Sequence, residues 1–141
     1  MKISRETGTG YCGALILATL ARSTDDEDER AKALSEGEQL LERGCLSHNY
    51  YEFYIDGMDG ALERQEWGLV DQYASALEAF TRIEPLPRTD FFIARGRALL
   101  KYGLGSRDNV LMQKLRSLYD EAERVGLKTS LSAFDEALNC K

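Results

Sequence analysis

Two short patterns in this sequence have the residue types and spacing of chemical sites. The first is Gly8-Thr9-Gly10-Tyr11-Cys12-Gly13, which fits G-x-G-x-x-G and leads directly into the apolar segment Ala14 to Ala21. In a dinucleotide-binding loop such glycines let backbone amides approach a pyrophosphate at a helix N-terminus. The second is His48, Glu52 and Asp56, spaced i, i+4, i+8. On a helix that spacing sets an imidazole and two carboxylates along one face. These are donors for a divalent metal, or a poised acid and base.

The elements that must position these groups decide both cases. A dinucleotide loop needs a strand before it, a helix after it, and a second strand carrying an acidic residue beyond. Only Met1 to Thr7 precede the glycines, without the pattern of a buried strand, and the apolar segment runs into an acidic turn and another helix. No parallel sheet can be assembled from this chain, so the glycines read as a helix entry where small residues permit close packing. There is no G-x-x-x-x-G-K-[ST] either. The histidine pattern offers one imidazole and two flexible carboxylates on one helix, with no second cluster to converge on them. We therefore expect no catalytic, metal-binding or cofactor-binding residue and no cofactor. His48 falls in the first turn of the third helix, and the carboxylates read as a solvated face or as the lining of a groove for a peptide or another domain.

Helical periodicity dominates the rest. The run Ser23-Thr24-Asp25-Asp26-Glu27-Asp28-Glu29 suits a helix N-terminus, where free amides and the helix dipole favour negative charge. The second helix extends to about Arg43, with Ala31, Leu34, Leu40 and Leu41 inward, and Gly44 stops it. Ser47 is placed to cap the third helix, which carries Tyr51, Tyr54, Ile55, Met58, Ala61 and Leu62 at helical steps. The fourth follows Trp67, with Leu69, Val70, Tyr73, Ala74, Leu77 and Phe80 inward, and ends at Pro85 and Pro87. The fifth starts near Thr89 and breaks at Gly103 to Ser106. The sixth carries Leu111, Leu115, Leu118, Tyr119, Ala122 and Val125, and a last short helix carries Leu131, Phe134 and Leu138.

The expectation is an all-α chain of about seven helices, paired as antiparallel hairpins, with residues 1–141 forming one domain. Pairs begin near Tyr11, Asn49 and Asp90, a spacing of roughly 40 residues and within the range of helical-hairpin repeats. Stacked, they would make a short right-handed solenoid whose last helix caps an open end.

Composition narrows the partners. The chain has 141 residues, 43% hydrophobic and 30% charged, enough for a continuous core. Its formal net charge is -6. Such a surface repels phosphate backbones, and the arginines are scattered, so neither nucleic acid nor an anionic membrane is expected as a partner. The three cysteines are far apart and lack metal-ligand spacing, which reads as reduced thiols in a cytoplasmic protein. The N-terminal apolar run is too short to span a bilayer, and Glu6 disrupts the basic region of a signal peptide.

Three segments carry a resemblance. They are ETGTGYCG, then DDEDERAKALSEGEQLLERGCLSHNYYEFYIDGMDGALERQEW, then YASALEAFTRIEPLPRTDFFIARGRALLKYGLG. In this order the chain resembles the C-terminal tetratricopeptide-like region of bacterial adenylate/guanylate cyclase-type multidomain proteins. The most specific pieces are RGCLSHNYYEFY, ALEAFTRIEPLPRTDFFIARGRALL and GLGSRD. The resemblance implies a helical-repeat fold and a regulatory or scaffolding role, with no catalytic residue carried over. The function expected is thus a non-catalytic interaction module binding a protein segment or upstream domains of the same polypeptide. The alternative is a self-associating, oligomerising piece. The expected groove is made by helices one, three and five, with His48, Asn49, Glu52, Asp56 and Arg95 as its recognition residues.

Overall fold

The computed structural model describes residues 11–139. Gly8 and Gly10 of the glycine pattern lie outside the described residues. Gly13 is the first residue of a helix and is buried. The described residues form seven α-helices and no strand: α1 Gly13–Ser23, α2 Glu27–Glu42, α3 Ser47–Glu63, α4 Trp67–Thr81, α5 Pro87–Gly103, α6 Asn109–Val125 and α7 Asp135–Leu138. Two single-turn 3-10 helices, Lys128–Ser130 and Ser132–Phe134, link α6 to α7. The expected all-α class holds.

Local chemistry sets most boundaries. Asp26 caps α2, accepting from the amides of Asp28 and Glu29 at 2.9 Å each, and the acid run fills the first turn. Asp108 caps α6 in the same way, accepting from the Leu111 amide at 2.9 Å. Gly126 closes α6 in the left-handed conformation, φ 80°.

Five boundary or core expectations differ. Leu46, not Ser47, occupies the N-cap of α3, and Ser47 is already helical. Pro87 opens α5 rather than ending α4, since the first turn of a helix needs no amide donor there and its fixed φ suits helix geometry. Ala31 is exposed and Ala33 takes its place inside. Phe80 and Val125 are also exposed, although Phe80 stacks flat on Tyr50 with ring centroids 4.1 Å apart.

Helix α1 packs on both α2 and α3; α3 packs on α4, α4 on α5 and α5 on α6, while α3 also reaches α5. Helices α1, α3 and α5 therefore lie side by side in one row. Small residues on α1 (Gly13, Ala14, Ala18 and Ala21, all buried) allow its close contact with two neighbours. The core runs through Phe53, Met58, Tyr73, Leu77, Leu115 and Phe134, each at most 1% exposed. Burying a side chain of this kind contributes roughly 1.5–3 kcal/mol. Phe134 brings the C-terminal turns into that core, where its ring meets Tyr119 edge-on. No helix among the described residues is long and apolar enough to cross a membrane.

Candidate functional site

The row α1, α3, α5 places every expected recognition residue, but gives each a partner within the chain. His48 and Asn49 sit in the first turn of α3 and hold the entry to α1. His48 Nε2 lies 2.9 Å from the Tyr11 carbonyl, and Asn49 Nδ2 donates to the same oxygen at 2.7 Å. One turn on, Glu52 takes both terminal nitrogens of Arg88 from α5, at 2.6 and 3.1 Å. Asp56 turns the other way, accepting from the Thr19 hydroxyl at 3.3 Å and lying 3.6 Å from Arg22 on α1. The i, i+4, i+8 carboxylates are half-buried ties between helices, not a solvated face. His48, Glu52 and Asp56 face three different partners. Among the described residues no three histidine, cysteine or carboxylate side chains converge as a metal site would require.

Arg95 is the deepest charge. It is 1% exposed and bonds Asp59 of α3 through Nη2, with its guanidinium 4.8 Å from the Phe92 ring centre. Its Nε–H has no partner among the described residues. Burial, reinforced by the nearby positive charge of Arg22, lowers its pKa to about 10. Asp59 also receives Arg22, whose Nη1 is 3.4 Å away, while the Nη2 of Arg22 reaches Glu63 at 2.6 Å. Arg64 ties the turn after α1 by donating to the Thr24 carbonyl at 2.8 Å. Burial raises the pKa of Asp56, against the pull of Arg22 and Thr19.

Arg22, Asp59 and Glu63 were not among the residues expected at the site. The signal that finds Arg22 and Asp59 is a step in sequence; Glu63, 41 residues from Arg22, falls outside it. Thr19 to Asp56 and Arg22 to Asp59 are 37 residues apart, while Glu52 to Arg88, Asp59 to Arg95 and Arg30 to Glu66 are 36 apart. Each pair alternates in charge or polarity. Helix starts at Gly13, Ser47 and Pro87 suggest a looser spacing because the connecting turns differ in length.

Where α1, α3 and α5 end, the C-terminal turns close over them and leave a cavity of about 410 Å³. Arg22, Asp59 and Arg95 form its charged wall, and Trp67, Leu99 and Tyr102 its apolar one. Arg107 and Glu136 also line it. Arg107 stacks on Tyr102 with its guanidinium carbon 3.4 Å from the ring centre, and it donates to backbone carbonyls. These groups set charges and hydrogen-bonding atoms at fixed positions beside an apolar wall.

No family model matches the chain, and no curated protein or solved structure matches it.

Proposed function

We propose that this chain is a non-catalytic helical-repeat interaction module of tetratricopeptide-like type, which receives a protein segment along the row α1, α3, α5. The observation that carries this reading is the regular ladder of side chains between the three helices at a step of 36–37 residues, ending in a cavity of about 410 Å³. Repeated helices in register make an extended, rigid surface, and such surfaces serve binding. His48, Asn49, Glu52, Asp56 and Arg95 act chiefly by holding that surface in shape. Direct recognition falls to Arg107, Glu136 and Trp67 at the cavity. The resemblance to the C-terminal region of cyclase-type signalling proteins supports a regulatory role in the cytoplasm, with upstream domains of one polypeptide as the segment's source.

The test has two steps. An antibody to this domain measures the size of the native protein in its own cells. A band far above 15.9 kDa directs the search to contacts in cis, and a band at that size directs it to partners in trans. The partner so defined is then titrated against the charge exchange Arg107→Glu with Glu136→Arg. Both residues are exposed; Arg107→Glu also gives up the bonds to the Tyr102 and Ser106 carbonyls, so binding is compared well below the lowered melting temperature, where the fold is intact and binding falls. Unchanged binding overturns the assignment of the cavity.

Self-association is a second reading with its own observation. Leu46, Phe80 and Ile83 are exposed apolar residues around the start of α3 and the end of α4, with Ile83 96% exposed. Light scattering at high concentration decides it, and a strict monomer removes the idea.

A further inference from the structure

On the opposite side of α3 from the ladder, a second pocket of about 340 Å³ lies where α2, α3 and α4 meet. Its walls are Tyr50 and Tyr54 from α3, Tyr73 from α4, and Glu38 and Glu42 from α2. The aromatic walls are rigid. Tyr50 is sandwiched on Phe80, its hydroxyl bonded to the Leu41 carbonyl. Tyr54 and Tyr73 have ring centres 5.7 Å apart, and the Tyr73 hydroxyl donates to Glu38 at 3.0 Å.

The charge here is one-sided. Neither Glu38 nor Glu42 has an ion-pair partner among the described residues. Arg30, the cation felt at Tyr73, is held by both oxygens of Glu66. The phenols register the excess: after burial, Glu38 is the next cause raising both Tyr54 and Tyr73, and Glu42 adds to Tyr54. The half-buried rings of Tyr50 and Tyr54 beside uncompensated carboxylates attract an organic cation, because the ring quadrupole and the carboxylate act in the same direction, while the buried Tyr73 holds Glu38 in place.

We propose that this pocket receives a basic side chain, arginine or lysine, from a partner protein. Charge complementarity selects the occupant. The chain carries a net charge of -6, and a planar guanidinium can stack on a tyrosine while forming paired bonds to a carboxylate. The site is separate from the cavity at the end of the α1, α3, α5 row and stands whether or not that cavity binds a segment.

The experiment titrates the full chain with N-acetyl-arginine amide and follows the ring resonances of Tyr50, Tyr54 and Tyr73. The neutral isostere N-acetyl-citrulline amide and tetramethylammonium serve as comparisons. The arginine derivative is expected to move these three tyrosines, and the citrulline derivative to leave them in place. Glu42 is exposed, so Glu42→Gln leaves the fold intact and weakens binding about two- to fivefold, the size of a half-exposed ion pair. Glu38→Gln, which can still accept from Tyr73, combined with Glu42→Gln weakens it further. Three results overturn the proposal: no shift of the tyrosines, an equal shift with the citrulline derivative, or binding unchanged in both variants. Tighter binding of tetramethylammonium than of the arginine derivative overturns the choice of a basic side chain and assigns the pocket to a small quaternary cation.

Discussion

The two sides of α3 use charge in opposite ways. Toward α1 and α5, acids meet bases at every step: Asp59 lies between Arg22 and Arg95, Glu52 holds Arg88, and Asp56 lies between Thr19 and Arg22. Toward α2 and α4, two glutamates face three tyrosines, and no cation lines that pocket among the described residues. A charge on the first side is engaged in holding helices together, and its removal is felt as stability. A charge on the second side remains available to a partner, and its removal is felt as binding. Charged residues at helical spacing therefore say little about recognition until the sign of the residue packed against them from the neighbouring helix is known.

The largest effect should come from breaking the ladder at its deepest point. Asp59→Leu strands Arg95 as a buried cation and should cost about 3–5 kcal/mol. Urea unfolding measures it. The double variant Asp59→Leu with Arg95→Met replaces both charges by apolar groups and should recover most of the loss, because the penalty lies in the orphaned charge. A double variant as unstable as the single one would mean that the pair itself supplies the stability.

The tyrosine side breaks by volume instead. A methyl group at Gly57 would stand 2.6 Å from Cε2 of Tyr73, a ring only 1% exposed with no room to withdraw. Gly57→Ala should destabilise by about 1–3 kcal/mol, after alanine's helix preference of about 1 kcal/mol has offset part of the clash. Gly68→Ala in α4, with nothing within 4 Å, is the control and should be neutral or mildly stabilising. A melting-temperature comparison of the two separates packing from propensity.

A smaller effect on the same side appears with pH. Burial first, then Glu38, raises the pKa of Tyr73 well above its usual 10.0. A raised pKa means that the folded state keeps its proton while the unfolded chain loses it. The contribution is complete below 10.0 and is lost as pH rises above it. Stability should fall with rising alkalinity, and Tyr73→Phe should flatten that fall. An equal slope in the variant would place the alkaline transition elsewhere, with Tyr54 the next candidate.

How far the sequence carries can be judged residue by residue. Helix identity was legible because Leu111, Leu115, Leu118 and Ala122 repeat at helical steps, and all four are buried. The acid run around Asp26 was legible as a helix start, and the cap at Asp108, equally short-range, was not read. The residues expected to line a groove were legible on α3 only as one face of that helix. Asp56 looks the same in sequence whether it meets water or Arg22. That difference is set by a residue 34 positions earlier, at a distance fixed by turn lengths that periodicity does not report. Arg95 was picked out but not its depth, since an arginine in an apolar helix gives no local sign of a partner such as Asp59. The tyrosine pocket draws on three helices, and its excess of negative charge is visible only once they are packed.

The smallest effect tests the comparison at its weakest member. Glu52 and Arg88 form a two-point pair across α3 and α5, but both side chains are partly open to water, 32% and 47% exposed. Solvent screens such a pair and each partner loses rotamer freedom to make it, so it contributes about 0–1 kcal/mol. Arg88→Gln should lower stability by no more than that, and the change should shrink further with added salt. The Asp59 effect should barely respond to salt, because a buried guanidinium is shielded from counterions by protein. A double-mutant cycle on Glu52 and Arg88 at two salt concentrations reads the difference. A coupling that is large and insensitive to salt would show that the ladder is as firm at its exposed rung as at its buried one, and that exposure does not grade its strength.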